Sequence, residues 1–300
     1  MRTAIGIGES VLDVIFQSDR PQQAVPGGSV FNCIVSLARC GLATRFITEL
    51  GNDRVGRLIG DFIKTNGINT DSIYFFDEGQ TPVSMAFLDE QKNAEYVFYK
   101  DFPMKRLNIT YPNIAADDVV VFGSYFAVNP ILRDEMVAFL NHAHSGEALL
   151  YYDINFRKAH AGERLQLLPL FIENFELADV IRCSDEDLSV LFPQQNIDAI
   201  YDQYFRPQRK PLIITQGARN ILVKTPNWEM SYPVEPITPV STIGAGDNFN
   251  AGWILGLMRE NISRSQINEL TENQWNLLID SAKKLAKEVC LSMENYISVL

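Results

Sequence analysis

The sequence predicts an α/β fold, with a mostly parallel sheet flanked by helices on both faces. Three observations carry that expectation. Apolar runs of strand length recur at 4–8, 45–49, 119–122, 148–153, 179–182 and 212–215. Most intervals between them show helical periodicity, as βαβ units require. The segment Ser241-Thr-Ile-Gly-Ala-Gly-Asp-Asn-Phe-Asn-Ala-Gly252 then places small residues and a carboxylate at the start of a helix, a common ligand position in open α/β sheets.

Taken in order, the opening MRTAIGIGESVLDVIF is broken by Glu9 and Asp13. It therefore reads as a first buried strand and not as a secretory segment or membrane span. Gly6 and Gly8 form Gly-x-Gly, but position 11 is Val, so the third glycine of a dinucleotide fingerprint is missing. Gly27 and Gly28 precede a helix beginning near Val30, with Cys33 and Cys40 seven residues apart on one face as packing residues. Val83, Met85, Phe87 and Leu88, then Tyr96, Phe98 and Lys100, flank the turn-rich Asp89 to Ala94 and predict an antiparallel hairpin. His142 and His144 fall in a helix and read as surface side chains. Phe249, Trp253 and Leu257 recur at i, i+4 and i+8, with Ile254 and Met258 in the adjacent row, so the helix after Gly246 has a buried face.

Composition narrows the function. Three hundred residues with 46% hydrophobic content are ample for a sizeable core. A net charge of −11 without a basic run disfavours nucleic acid and anionic membranes as partners. Four cysteines without a Cys-x-x-Cys pair point to reduced thiols and a cytoplasmic location, not to a disulfide framework or structural zinc. No Walker G-x-x-x-x-G-K-[ST] loop occurs, so phosphates, if bound, need another cradle.

Gly244, Ala245 and Gly246 supply that cradle. First-turn amides lack intrahelical partners and sit at the positive end of the helix dipole, which suits a phosphate or a developing oxyanion. Asp247 adds a base beside them, as phosphoryl transfer to a hydroxyl requires. The bland reading of the same residues is a strand-to-helix turn, with Asp247 a first-turn carboxylate favouring the dipole.

Two N-terminal segments bear on that choice: GIGESVLD at 6–13 and GGSVFNCIVSLARCGLATRFITELGNDRVGRLIG at 27–60. They resemble the signatures of the ribokinase (PfkB) family of carbohydrate kinases, through Gly27, Gly28, Asn32, Gly51, Asp53 and Gly56. The third family signature, D-T-x-G-A-G-D-x-F-x-x-G, is matched by Thr242, Gly244, Ala245, Gly246, Asp247, Phe249 and Gly252. Three signatures in the family's order span nearly the whole chain.

The resemblance implies a ribokinase-like α/β fold in which residues 1–300 form one kinase domain, with a small β-sheet lid inserted from about 13–17 and 81–101. It implies ATP and Mg²⁺ as co-substrate and cofactor, a small sugar as acceptor, and a possible homodimer through the lid. Asp247 would be the general base beside the Gly244–Gly246 anion hole. Asp13, Gly27, Gly28, Asn32 and the lid residue Phe98 would lie around the sugar. Asp153-Ile-Asn-Phe-Arg157 resembles the D-x-N-x-R segment of fructokinases and 2-keto-3-deoxygluconate kinases, which gives Arg157 to substrate or phosphate charge. Thr215, Gly217, Thr242, Ser184 and Asp187 would serve ATP, with Asp187 reaching the metal through water.

Three positions depart from the family. Asn220 replaces the last glycine of T-x-G-x-x-G, where Asn tolerates a left-handed backbone. Ser184-Asp-Glu-Asp187 stands in place of N-x-x-E. Ser241 stands where many members carry an Asp near a monovalent-cation site, which implies weak or absent potassium activation. The expected activity is transfer of the γ-phosphate of ATP to a primary sugar hydroxyl, with fructose favoured. Ketodeoxygluconate, ribose or a nucleoside are the alternative acceptors. A catalytically quiet sugar-binding regulator is the reading from another class, and an NAD-dependent dehydrogenase is poorly supported.

Overall fold

The structure, a computed structural model, describes residues 2–89 and 94–299. Its strands are β1 (Thr3–Ile7), β2 (Val11–Gln17), β3 (Arg20–Gly27), β4 (Ala43–Gly51), β5 (Ile73–Phe76), β6 (Gln80–Leu88), β7 (Ala94–Asp101), β8 (Val119–Gly123), β9 (Leu149–Asp153), β10 (Val180–Ser184), β11 (Leu212–Thr215), β12 (Asn220–Lys224) and β13 (Glu229–Pro233). The helices are α1 (Ser29–Arg39), α2 (Arg54–Thr65), α3 (Ser124–Ala127), α4 (Arg133–Ser145), α5 (Arg164–Leu177), α6 (Asp185–Leu191), α7 (Ile197–Ile200), α8 (Ala245–Arg259) and α9 (Glu272–Cys290).

The large sheet runs β13-β12-β11-β10-β9-β8-β1-β4-β5. It is parallel from β5 to β11, and β12 and β13 close one side antiparallel. All six expected apolar runs are strands of this sheet. Successive residues feed opposite cores: Val119 and Val121 pack with α1, α8 and α9, while Val120 and Phe122 pack with α4 and α5. This two-sided burial is why the runs are continuous and not alternating. The chain leaves β1 towards β4 and β5, then returns to β8 on β1's other side. That reversal opens a crevice at the strands' carboxyl ends, where such sheets bind ligands.

The second sheet, β3-β2-β6-β7, is the expected lid with one strand more. β2 pairs β6 in parallel, whereas β2–β3 and β6–β7 are antiparallel. Strand β3 was not foreseen, because RPQQAVPG carries two prolines and little apolar alternation; an edge position tolerates both. The predicted turn between β6 and β7 falls on residues 90–93, outside the described residues. Register puts Asp13, Ser84 and Phe98 in one row and Ile15, Ala86 and Tyr96 in the next, all on one face.

Gly51, Asp53 and Gly56 of the N-terminal signature explain the lid's footing. Asp53 caps α2 by accepting from Gly56 N at 2.7 Å, and its other oxygen accepts from Thr81 N at 2.7 Å, at the root of β6. A Cβ at Gly51 would stand 2.8 Å from that same Thr81 nitrogen. Cys33 is buried as expected, but α1 stops at Arg39, so Cys40 is its C-cap and lies half-buried outside the helix. His142 and His144 are exposed on α4. Among the described residues no helix is long and apolar enough to cross a membrane.

Helices α8 and α9 pack closely enough to define Gly252. A Cβ there would stand 2.6 Å from Ala282 Cα, and Ser281 Oγ already donates to Gly252 O at 2.6 Å. Gly252→Ala is therefore expected to destabilise the fold by about 1–3 kcal/mol through overpacking. Thermal unfolding checks this, and an unchanged midpoint would contradict the packing account.

Candidate active site

Helix α8 begins at Gly244, which takes φ +77° as N-cap. An L side chain is strained there, and a Cβ would also run into the Asn295 carbonyl. Two residues on, a Cβ at Gly246 would stand 3.0 Å from both terminal nitrogens of Arg182. The turn thus lies directly on a buried guanidinium. Arg182 donates to Asp153 Oδ1 at 3.0 Å and to Thr215 Oγ1 at 2.6 Å. Asp153 Oδ2 accepts from Asn250 Nδ2 at 2.7 Å, and Asn250 Oδ1 accepts from the Tyr151 hydroxyl at 2.9 Å. The α8 dipole and the start of its first turn thus lie over a guanidinium paired with Asp153, while Ala245 N already donates to Thr242 O at 3.3 Å; the dipole and Gly246 are what this turn offers an anion.

Asp247 is buried in the first turn of α8. Helix α1 fixes it: Ser29 Oγ donates to Oδ1 at 2.8 Å, and Asn32 Nδ2 donates to Oδ2 at 2.8 Å. Burial pushes this carboxyl up to about 6; the Asn32 and Ser29 bonds and the Arg157 charge oppose the rise, and Asp153 adds to it. A carboxylate at that value is mostly ionised at neutral pH and still basic enough to take a proton.

Asp13 on β2 is buried too, accepting from Ser84 Oγ on β6 and from Asn295 Nδ2 at 3.1 Å. Burial raises it to about 7, with Asp247 and Glu9 adding and the Ser84 and Asn295 bonds opposing. Gly27 is small because a Cβ would fall on Asp13 Oδ2, and Gly28, at φ +131°, because one would strike the Glu9 carbonyl.

A cleft of about 1590 Å³ runs between the lid and the carboxyl ends of the large sheet. Small-molecule sites are usually about 300–1,000 Å³, so there is room for two ligands end to end. Asp247, Gly244, Ala245, Gly246, Phe98 and Arg157 line it, as do Ser184, Asp187, Thr215, Gly217 and Thr242. Asp13, Gly27, Gly28 and Asn32 do not line it; Asn32 reaches it through Asp247, and the other three cluster about Asp13. Phe98 stacks on Tyr96 at 5.7 Å between centroids, and the Arg157 guanidinium lies 5.8 Å from the Tyr96 ring centre.

The ATP-side residues have specific structural duties. Asp187 Oδ2 accepts from Ser184 N and Oγ, both at 2.7 Å, as a capping box for α6, while Oδ1 accepts from Phe156 N at 2.8 Å. It therefore clamps the loop carrying Arg157, and burial raises its carboxyl. Among the described residues no group of three or more His, Cys, Asp and Glu could hold a metal ion. Asp187 has both oxygens engaged by protein donors, which fits a divalent ion met only through water. The left-handed backbone expected at Asn220 is found elsewhere: Gly217 takes φ +61°, and Asn220 is simply the first residue of β12. Gly217 already turns the chain, so Asn220 has no need to.

Sequence reasoning missed Arg182, Ser29, Asn250 and Asn295, together with Lys283, Lys284 and Lys287 of α9 along the cleft. Only Arg182 carried a signal, as a lone charge inside the apolar strand VIRCS. A buried proton acceptor beside a helix-terminal anion site, under a small sheet on a parallel α/β body, is the equipment of a group-transfer enzyme. A family profile described as pfkB family carbohydrate kinase matches residues 5–287, and the chain belongs to this family. A fructokinase of Rhizobium leguminosarum bv. trifolii is 24% identical over 273 residues, covering 88% of this chain and 83% of that protein. A fructokinase of Solanum tuberosum is 27% identical over 230 residues, 75% of this chain and 69% of that one. Two solved structures share the fold. Vibrio cholerae O395 fructokinase, a double mutant with fructose, ADP and potassium bound, has a TM-score of 0.84 at 21% identity, covering 98% of this chain and 94% of that one. Salmonella enterica aminoimidazole riboside kinase, with its riboside and an ATP analogue, has a TM-score of 0.83 at 20% identity, covering 100% and 97%.

The electrostatics can be measured without substrate. In carboxyl-detected NMR the Asp247 titration is expected near pH 6, and Asn32→Ala should move it upward by removing a donor to the ionised form. A midpoint near 4, or no response to Asn32→Ala, would contradict the account.

Proposed function

We propose that this chain is an ATP-dependent fructokinase acting on a primary hydroxyl of the sugar. The observation that carries the reading is Asp247, a buried carboxylate in the first turn of α8, on the wall of the cleft and beside the Gly244–Gly246 turn. The curated relatives above, both fructokinases, support fructose as the acceptor.

In this reading Asp247 takes the proton of the acceptor hydroxyl as the sugar oxygen attacks the γ-phosphorus. The bond to the β–γ bridging oxygen breaks and ADP leaves with that electron pair. The Gly244–Gly246 amides, backed by Arg182, stabilise charge on the transferring group. Magnesium, when bound with the nucleotide, neutralises phosphate charge. Asp187 would meet that ion only through its water shell, since its oxygens already accept protein donors. Thr215, Gly217, Thr242 and Ser184 form the nucleotide end, and Asp13, Gly27, Gly28, Asn32 and Phe98 the sugar end. Closing the lid over the sugar excludes water as a competing acceptor.

A sugar acid such as 2-keto-3-deoxygluconate is favoured by one observation: Arg157 is exposed in the cleft and enters no ion pair among the described residues. The test is ATP consumption with Mg²⁺ against fructose, ketodeoxygluconate, ribose, glucose and adenosine, with products confirmed by mass. Fructose phosphate is expected. A sugar that shifts the melting temperature without ATP consumption would replace the kinase by a binding protein.

Asp247→Asn is expected to lower turnover about 10²–10⁴-fold while sugar and ATP dissociation constants stay within a few-fold. Near-normal turnover would refute its role as base. At the position of Ser241 the charge is absent, and its hydroxyl accepts from Ile243 N at 3.2 Å. Potassium at fixed ionic strength is therefore expected to leave turnover unchanged; a several-fold rise would contradict this. The lid's outer face carries Leu12, Val14, Val83 and Met85 beside Val97 and Tyr99, the last two 43% and 56% exposed. That apolar strip supports a homodimer through the lid. Sedimentation of Tyr99→Lys should then show monomer where the parent shows dimer, and a monomeric parent would end the idea.

A further inference from the structure

The segment after α9 lies beyond residues 5–287, the part matched by the family profile. It nevertheless enters the centre of the site. Met293 O accepts from Gln23 Nε2 of the lid at 2.6 Å. Ile297 N donates to Ser36 Oγ at 3.2 Å, and Ile297 O accepts from Arg39 Nη1 at 2.7 Å. Arg39 also lies 4.6 Å from the Tyr296 ring centre. Between these anchors Asn295 is fully buried, its main-chain oxygen accepting from Asn248 Nδ2 at 2.9 Å and abutting Gly244.

The Asn295 side chain spends only half of its bonding capacity. Its Nδ2 donates to Asp13 Oδ2, but its Oδ1 is buried with no hydrogen-bond partner. A buried amide oxygen left without a donor has lost its water without recompense, so such atoms call for an explanation. Asn32 repeats the pattern on the other site carboxylate: Nδ2 donates to Asp247, and Oδ1 is unpartnered. Each carboxylate is thus held by an amide nitrogen whose paired oxygen is buried without a donor; neither amide lines the open cleft, so a hydroxyl meets these oxygens only when the sugar seats beside Asp13 and Asp247. A ligand rich in hydroxyl donors satisfies such acceptors, and an apolar or anionic one does not.

We propose that Asn295 is a sugar-positioning residue, orienting Asp13 with its amide nitrogen and accepting a substrate hydroxyl on its carbonyl oxygen. This rests on the sugar-kinase reading above. It assigns part of the sugar specificity to a residue outside every recognised motif of the chain.

The test is steady-state kinetics of the whole protein and of Asn295→Ala and Asn295→Asp, with fructose and its monodeoxy analogues. Asn295→Ala should raise the KM for fructose about tenfold or more and leave the KM for ATP within about twofold, as loss of one buried hydrogen bond implies. One deoxy analogue should be a poor substrate for the parent, yet lose no more than fructose itself in the variant, because the partner of that hydroxyl is gone. A structural role alone would not erase that selective penalty. Equal rises in both KM values, or a penalty that persists, would overturn the assignment. Asn295→Asp keeps an oxygen acceptor and should therefore keep the penalty; if Asn295→Ala does not fold, the near-isosteric Asn295→Leu, which has no acceptor, carries the same analogue comparison. A parent that phosphorylates no sugar would bring down the kinase reading and this one with it, whereas an active parent whose penalty persists would overturn Asn295 alone.

Discussion

Everything at the site depends on keeping Asp247 buried and chargeable in the first turn of α8. A carboxylate taken out of water is costly unless donors and positive potential compensate it. Ser29 and Asn32 supply two donors from α1, and the helix dipole adds positive potential. The result is a base raised to about 6 and not a neutral acid. This compensation requires α1 and α8 to be docked side by side. The two share one apolar core, in which Phe31, Ile34 and Val35 join Phe249, Trp253 and Ile254.

A second constraint lies beneath the turn. Asp153, Asp187 and Asp247 are all buried, and Arg182 is the buried cation among them, bonded directly to Asp153. Removing Arg182 would leave Asp153 buried and uncompensated, the costly way to break such a pair. The same guanidinium reaches Thr215 at the end of β11 and lies against Gly246. One side chain therefore couples β10, β11 and the turn at the start of α8. The lid is tied to the body by Thr81 with Asp53 at its root, by Asp13 with Asn295 and by Gln23 with Met293.

Much of this was legible in the sequence, for identifiable reasons. Six of the seven parallel strands could be read as apolar runs because both faces of the sheet are buried; the seventh, β5, is a four-residue edge strand and was missed. The Gly244–Asp247 turn showed itself because no side chain fits at Gly244 and an apolar i, i+4, i+8 row follows it; the single buried face expected there is wrong, since α8 is buried on every side from Asp247 to Leu257, between α1, α9 and the sheet. Strands β3 and β13 were not legible, since edge strands with prolines and polar residues lack an apolar run, and β12 was missed because its apolar stretch, Ile221 to Val223, is only three residues long. Asp187, which the resemblance gave to ATP and to a metal through water, is also a capping-box residue holding the Arg157 loop, a duty no local pattern announced. Asn295 could not be read at all, because its importance comes from long-range packing against Asp13 and Gly244, which leaves no local pattern.

The central claim is that a buried carboxylate raised well above its usual range accepts the sugar's proton. The pH dependence of kcat/KM for the sugar tests it most directly. In the proposed reaction Asp247, near 6, and Asp13, near 7, would both have to be ionised in the free enzyme, the first to take the proton and the second to hold sugar hydroxyls. Activity should therefore begin to fall as pH drops below about 7 and fall more steeply below about 6. A profile that stays flat into the ordinary carboxylate range, near pH 4, would contradict the account.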